Sequence, residues 1–209
     1  NVEWDKLDVI TFSWQKVLGG EAAHGILVLS PKAIEHLEKF TPSWPIPKIF
    51  RLTKSKKVIE GVFKGETLNT PSMLCVEDYL DALQWVREIG GLEACIKRAN
   101  DSFNFINDWV SNSRSIDFLC QEASNRSNTS VCLKFKDDRV INQAEDTQRN
   151  LAKEIGVLLE DEGVALDIVN HRSAPPGLRI WTGATVEPTD VRDLLPWIDW
   201  AYNQALNKI

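Results

Sequence analysis

The chain has 209 residues, of which 43% are hydrophobic and 26% are charged, and its formal net charge is −6. This composition is typical of a soluble globular protein, with length for one large domain or two small ones. The acidic balance argues against nucleic acid as a partner, because nucleic-acid-binding proteins normally carry a basic face. No apolar run has the length of a bilayer span, so we expect no membrane partner either.

The first elements that the pattern predicts are two strands with a polar turn between them. Residues 7–12 have the pattern of a buried strand, residues 25–30 that of a second strand, and the turn at 13–20 ends in two glycines. A short helix is predicted to begin near Pro31. A buried parallel strand needs neighbours on both sides, and nothing precedes the first strand to supply one. Because the chain also lacks an initiating methionine, we expect it to be part of a longer protein.

The middle of the chain predicts a loop followed by a helix. Residues 41–47 contain three prolines and predict a structured loop, and the basic stretch 48–63 predicts a solvated loop or a pair of short strands. Thr70 is predicted to cap a helix that has Pro71 in its first turn and that runs to about Ile89.

The remaining sequence predicts a compact α+β unit. Gly90-Gly91 should stop or kink the preceding helix, and a second amphipathic helix should continue to about Val110. Strands are predicted at 116–120, 130–135, 164–169 and 178–181, and helices at 144–162 and 189–206. Because helices cover a small set of strands in this pattern, we place a domain boundary near Gly90-Gly91, which separates residues 1–90 from residues 91–209.

Lys16 is the first candidate for chemistry. It follows the predicted strand and precedes Gly19-Gly20. A strand end fixes the position of an amine, burial favours its uncharged nucleophilic form, and glycines let other groups approach. These are the requirements of a lysine that forms an imine, although spacing alone favours an ordinary solvated lysine.

Two further groups of residues could bind anions. His171-Arg172 and Arg179 flank a Pro-Pro-Gly turn, and arginine binds carboxylate and phosphate through two parallel hydrogen bonds. The alternative is a pair of surface arginines around a loop. Asn69 and Thr70 precede a predicted helix start, where free amide groups can bind phosphate, but an ordinary helix cap explains them equally well.

No pattern in the sequence predicts a metal site. The chain has no HxxxH spacing and no cluster of carboxylates, and its four cysteines show no CxxC spacing. The first residues are polar and lack the basic region of a signal peptide. Together these features favour reduced thiols in a cytoplasmic protein.

These clusters, in this order, resemble the phosphoserine aminotransferases of the class V, fold-type I pyridoxal-phosphate family. The most specific part is the segment Thr11-Phe12-Ser13-Trp14-Gln15-Lys16 with Gly19-Gly20. The resemblance implies that pyridoxal 5′-phosphate is the cofactor, that Lys16 forms the Schiff base with it and moves a proton, and that Gln15 binds its phosphate. Asn69 and Thr70 are implied to reach the same phosphate from a neighbouring subunit, which implies a homodimer with shared active sites.

The resemblance also implies a fold and a reaction. The fold is α/β, with residues 1–90 as the carboxy-terminal part of the large cofactor-binding domain and residues 91–209 as the small α+β domain. His171-Arg172 is implied to hold the phosphate of the substrate and Arg179 its α-carboxylate, although the Pro-Pro-Gly turn is one residue longer than in some members.

The implied reaction converts glutamate and 3-phosphohydroxypyruvate, both small anionic substrates, to 2-oxoglutarate and phosphoserine in serine biosynthesis. An alanine–glyoxylate or serine–pyruvate aminotransferase, and a non-catalytic α/β interaction fragment, remain alternatives. Family members also have an amino-terminal half with further cofactor contacts. We therefore expect residues 1–209 alone to bind the cofactor weakly and to transaminate little, with the missing amino-terminal segment of the same protein as a required partner.

Overall fold

The computed structural model describes residues 2–208 of the chain. The chain divides into two compact units, with bounds Asn1–Leu83 and Gln84–Ile209. The division falls inside the helix Met73–Ile89. The predicted domain boundary near Gly90-Gly91, at the end of that helix, stays a prediction.

The amino-terminal unit begins with a pair of strands, β1 (Val9–Phe12) and β2 (Ile26–Leu29). The prediction of a buried parallel strand is wrong, because β1 pairs antiparallel to β2, with Val9 opposite Leu29. The strand is also largely exposed, with Val9 at 58% and Phe12 at 46% of full exposure. The physical reason is that, within residues 2–208, this sheet has two strands only, so its apolar side chains are incompletely covered.

The next elements follow the predicted pattern. Helix α1 (Pro31–Lys39) begins where proline predicted, and the hydroxyl of Ser30 caps it by accepting a hydrogen bond from the Ala33 amide at 3.0 Å. Residues 41–47 form a loop without helix or strand. The short strands β3 (Thr53–Lys54) and β4 (Lys57–Val58) pair antiparallel, which confirms the alternative of a strand pair.

Two long helices come next, α2 (Met73–Ile89) and α3 (Gly91–Asn112). Gly90 and Gly91 have φ of 112° and 77°, and this left-handed conformation ends α2 where it was predicted to end. The predicted cap is wrong: Thr70 and Pro71 precede the helix, and the Ser72 hydroxyl accepts a hydrogen bond from the Cys75 amide at 3.4 Å. Ser72 is as good a capping residue as Thr70, and it directly precedes the first helical residue.

The carboxy-terminal unit is built around an antiparallel sheet of three strands in the order β5-β6-β7. The strands are β5 (Ile116–Phe118), β6 (Ser130–Phe135) and β7 (Gly177–Trp181), and the further helices are α4 (Asp138–Ile141), α5 (Glu145–Asp161) and α6 (Pro188–Leu206). Helix α6 packs against both α3 and α5. Except for the four-residue helix α4, which the pattern did not predict, these elements match the predicted α+β arrangement. Short 3-10 turns occur at Trp4–Lys6, Lys48–Phe50, Glu60–Lys64 and Ala123–Asn125.

Burial alternates along the strands of this sheet. On β7, Leu178 and Ile180 are buried in the core, whereas Arg179 lies on the other face and is half-buried. The period of two along a strand explains this alternation, and it decides which side chains can bind a ligand. Among residues 2–208, no helix is both long and apolar enough to cross a membrane.

The predicted strand at 164–169 is wrong. Only Val169 pairs with β7, through an isolated bridge to Leu178. Gly163 and Asp167 have φ of 68° and 52°, and a left-handed residue interrupts the extended conformation that a strand requires.

Candidate functional site

Lys16 lies in the tight turn that follows β1. The Gly19 amide donates a hydrogen bond to the Lys16 carbonyl, and the Gly20 amide donates one to the Trp14 carbonyl, both at 3.1 Å. Gly19 has a φ of 70°, which glycine adopts without strain. The turn leaves Gln15 and Lys16 exposed. Residues 2–208 therefore do not bury the lysine, contrary to the expectation from its position after a strand.

Trp14 anchors this turn. Its side chain is 4% exposed, and its indole stacks on Tyr79 of α2 with ring centroids 4.5 Å apart and ring planes 15° apart. A Cβ atom at Gly20 would lie 2.2 Å from Trp14 Cδ1, so only glycine fits beside the ring. The sequence pattern identified Gly20 but not its partner. An apolar aromatic residue within a polar turn was the available signal for Trp14.

His24 connects the lysine turn with the segment that contains Asn69 and Thr70. Its Nε2 accepts a hydrogen bond from the Ser72 amide at 3.1 Å, and its carbonyl accepts one from the Ser13 hydroxyl at 2.9 Å. Asn69 and Thr70 are exposed just before this contact. The contacts therefore connect Ser72, which follows Asn69 and Thr70, with Ser13 of the lysine turn through His24.

The start of α2 does not include Asn69 or Thr70. The free amide groups of a helix belong to its first turn, which here begins at Met73. One amide of that turn, from Cys75, already donates to Ser72. Any phosphate contact from Asn69 and Thr70 must therefore come from their own side chains and amides.

The His171-Arg172 pair lies in a turn that its own hydrogen bonds stabilise. The Ala174 amide donates to the His171 carbonyl at 2.8 Å, and the Ser173 amide donates to His171 Nδ1 at 3.2 Å. Nδ1 is therefore occupied as an acceptor, and Nε2 is the nitrogen that a ligand can contact. Both His171 and Arg172 are exposed.

Asn170 and Gly177 connect this turn to the sheet. Asn170 Nδ2 lies within hydrogen-bonding distance of the Leu133 carbonyl on β6, at 3.3 Å, and of the Pro175 carbonyl, at 3.2 Å. A Cβ atom at Gly177 would lie 2.0 Å from the same Leu133 oxygen. Backbone atoms cannot move aside cheaply, so the approach of the turn to β6 requires glycine at this position.

Arg179 lies on β7, opposite Cys132 of β6. Its Nη2 donates to Asp167 Oδ2 at 3.0 Å, and its backbone amide donates to the Ile168 carbonyl at 2.7 Å. The guanidinium is half-buried and keeps donors that Asp167 does not occupy. This arrangement suits a fork that binds a carboxylate.

The two arginines face different cavities. Arg172 lines a cavity of about 240 Å³, and Arg179 lines another of about 270 Å³ together with Asp167. Lys16 and Asn69 belong to the other compact unit. Within residues 2–208, no group of three or more His, Cys, Asp or Glu side chains is arranged to hold a metal ion.

No protein-family model matches the chain. It is 50% identical over 203 residues to a phosphoserine aminotransferase of Methanosarcina barkeri, and the match covers 97% of this chain and 52% of that relative. The chain thus spans about half the length of the curated relatives it matches.

Solved structures share the fold. A phosphoserine aminotransferase of Cytophaga hutchinsonii superposes with a TM-score of 0.74 at 19% identity, over 95% of this chain and 50% of that one. A structure of radiation damage of the Schiff base in phosphoserine aminotransferase superposes with a TM-score of 0.71 at 16% identity, over 98% of this chain and 49% of that one. These likenesses confirm the predicted fold class.

Proposed function

Because the chain is homologous to phosphoserine aminotransferases over 97% of its length, we propose that it is part of a pyridoxal-phosphate-dependent transaminase. The reaction is the transfer of an amino group between glutamate and 3-phosphohydroxypyruvate, which yields 2-oxoglutarate and phosphoserine in serine biosynthesis. The observation that carries this proposal is the 50% identity over 203 residues with the Methanosarcina barkeri enzyme. The exposed lysine turn and the two arginines supply groups that such a reaction needs.

The residues of the amino-terminal unit fit the cofactor. Lys16 provides a primary amine on a turn whose shape Trp14 and Gly20 fix, and a primary amine is the group that binds a carbonyl compound as a Schiff base. Gln15 and Asn69 are exposed and offer neutral amide donors for a phosphate. When bound, pyridoxal phosphate supplies the electron sink for bond breaking at the substrate Cα.

Lys16 then has two tasks. Its Nζ would hold the cofactor before the substrate arrives, and it would afterwards accept the proton that leaves the substrate Cα. The short hydrogen-bonded turn around Gly19 and Gly20 limits where Nζ can move. Proton transfer requires hydrogen-bonding distance, so the anchoring of this turn by Trp14 serves catalysis as well as folding.

The two arginines support substrates that carry two acidic groups, as glutamate and 3-phosphohydroxypyruvate do. Arg179 binds the α-carboxylate with the donors that Asp167 leaves available. His171, through Nε2, and Arg172 bind the phosphate. Removing one charge-assisted contact of this kind usually weakens binding by about 1.5–3 kcal/mol.

We further propose a cytoplasmic homodimer in which Asn69 and Thr70 reach the cofactor phosphate of the neighbouring subunit. Two inactive variants of the complete polypeptide test this arrangement: Lys16→Ala, and the double variant Asn69→Ala with Thr70→Ala. If sites are shared, a dimer of one Lys16→Ala subunit and one Asn69→Ala/Thr70→Ala subunit has both losses in one site and neither in the other, so mixed dimers regain activity. Mixed subunits that form dimers without any gain of activity would exclude shared sites.

The transaminase proposal is tested on the complete polypeptide that contains this chain. We expect phosphoserine with 2-oxoglutarate to react faster than alanine, and borohydride to fix the cofactor on the protein. Lys16→Ala should abolish the fixed label, whereas Lys39→Ala, which removes an exposed lysine of α1, should retain it. If the label is still fixed in Lys16→Ala, Lys16 is not the residue that binds the cofactor. Faster reaction with alanine favours an alanine–glyoxylate or serine–pyruvate aminotransferase, and a protein without label or activity favours a non-catalytic fragment.

A further inference from the structure

The cavity beside the His171-Arg172 turn contains more positive charge than the pair itself supplies. Three cationic side chains line it: Arg149 and Lys153, one helical turn apart on α5, and Arg172. Its volume is about 240 Å³, and among the described residues no carboxylate side chain lines it. A space with this lining favours an anion.

Two of the three charges are not neutralised within the part of the chain that the structure describes. Arg149 Nη2 pairs with Glu145 Oε1 at 2.5 Å. Within residues 2–208, no carboxylate lies at ion-pair distance from Lys153 or Arg172. Apolar groups form much of the remaining wall. Lys153 and Arg172 are both exposed, so their charged groups can reach an anion at the mouth of the cavity.

Arg149 also holds the turn on which Arg172 lies. Its Nη1 donates to the Arg172 carbonyl at 3.5 Å, while Glu145 binds the other side of the same guanidinium. The Arg149 side chain is 31% exposed, so it is partly enclosed under the turn. Helix α5 therefore contacts the backbone of the Arg172 turn through Arg149.

We propose that Lys153 binds the phosphate group of the substrate together with Arg172, and that Arg149 positions the Arg172 turn for this contact. The proposal rests on the proposed function and adds to it the residues of α5 that select a phosphorylated substrate. Lysine contributes a compact charge with three donors and arginine a planar fork. A phosphate dianion offers three oxygen acceptors, which is enough for both residues.

Binding of inorganic phosphate to the holoenzyme tests the cavity without any need for turnover. Calorimetric titration of Lys153→Gln at constant ionic strength should give a dissociation constant about tenfold higher than that of the unaltered protein. Lys97→Gln is the matched control, because it removes an exposed lysine from α3 with the same change in charge. The control should leave the constant unchanged. Equal dissociation constants for Lys153→Gln and Lys97→Gln would overturn the proposal.

Kinetics with phosphoserine separate a binding role from a structural one. Lys153→Gln should raise the KM for phosphoserine about tenfold with little change in kcat, and the thermal midpoint should match that of the Lys97→Gln control. Arg149→Gln should raise KM as well, and Arg149→Lys should recover only part of the loss, since lysine lacks the fork. A lowered thermal midpoint with an unchanged KM would assign Lys153 a purely structural role.

The two proposals can fail separately. Weaker phosphate binding by Lys153→Gln, in an enzyme that does not turn over phosphoserine, supports the anion cavity and overturns the proposed function. If Lys153→Gln turns over phosphoserine with unchanged KM and unchanged phosphate binding, the proposed function stands and the proposed role of the cavity is overturned.

Discussion

Asp137 is the carboxylate for which the structure predicts the largest dependence of stability on pH. It precedes α4, and its side chain is 11% exposed. Its Oδ1 accepts from the Arg139 amide at 2.9 Å, and its Oδ2 accepts from Arg139 Nη2 at 2.6 Å and from the Tyr202 hydroxyl at 2.9 Å. These hydrogen bonds, with those to the Arg139 side chain foremost, lower the pKa of Asp137 from 3.8 to about 2.

The lowered pKa of Asp137 sets the size of its contribution to stability and the pH range in which that contribution is lost. A fall from 3.8 to about 2 corresponds to about 2.4 kcal/mol in favour of the charged folded form. Solvent screens part of this value, since Arg139 is 68% exposed, so we expect about 2 kcal/mol. Because the pKa is lower in the folded state, the contribution is complete above pH 3.8 and is lost as the pH falls towards 2.

The perturbation is Asp137→Asn, and the assay is urea unfolding followed by circular dichroism at several pH values. At pH 7 the variant should have a free energy of unfolding about 2 kcal/mol lower than the unaltered protein. The difference should shrink steadily below pH 4. Asp193→Asn is the matched control, because Asp193 is exposed and pairs with a neighbouring arginine, and it should leave the free energy of unfolding nearly unchanged. A loss for Asp137→Asn that is the same at pH 3 and at pH 7 would refute the reasoning.

Three further predictions follow from buried contacts. In urea titrations, Gly177→Ala should lower the free energy of unfolding by roughly 3 kcal/mol, because the new Cβ meets a backbone oxygen of β6. Gly163→Ala is the control: it has open space around the new Cβ at a φ of 68° and should cost about 1 kcal/mol. Equal losses of stability for Gly177→Ala and Gly163→Ala would contradict the clash at Gly177. Gly20→Ala should displace Trp14 and reduce the cofactor that borohydride fixes on the complete polypeptide, and unchanged labelling would count against the anchoring role. Burial and the hydrogen bond to Asp137 raise the pKa of Tyr202 to about 12. The protonated Tyr202 should therefore stabilise the fold fully below pH 10, and this stabilisation should be lost as the pH rises towards 12. In thermal melts, Tyr202→Phe should reduce the loss of stability at alkaline pH.

The amino-terminal unit shows where local pattern was sufficient and where it was not. Pro31 marked the start of α1 correctly, because the preference of proline for the first helical turn is a local property. The same kind of reasoning chose Thr70 instead of Ser72, since both are capping residues and the sequence does not rank them. The prediction of a buried parallel strand was wrong, because an apolar run such as 7–12 is equally compatible with an antiparallel strand that is only partly covered.

In the candidate site, too, some features were predicted from the sequence and others were not. The sequence identified Lys16 and Arg179 as residues whose chemistry suits the proposed reaction, and their roles stay predictions. It did not indicate that Trp14 stacks on Tyr79, that Asp167 pairs with Arg179 or that Arg149 supports the Arg172 turn. The residues of each such pair are separated by at least twelve positions, and no periodic pattern connects them.

What the sequence by itself determined is therefore most of the elements in the carboxy-terminal unit, the glycine break at Gly90-Gly91 and the similarity to the phosphoserine aminotransferases. Helix and strand periods and glycine conformations are local properties, and 50% identity is a property of the sequence alone. Only the tertiary structure decided the direction of β1, the exposure of Lys16 and the grouping of three cations around one cavity. The physical reason is that burial and charge proximity depend on which distant segments pack together, and that packing is settled by the sum of many weak contacts.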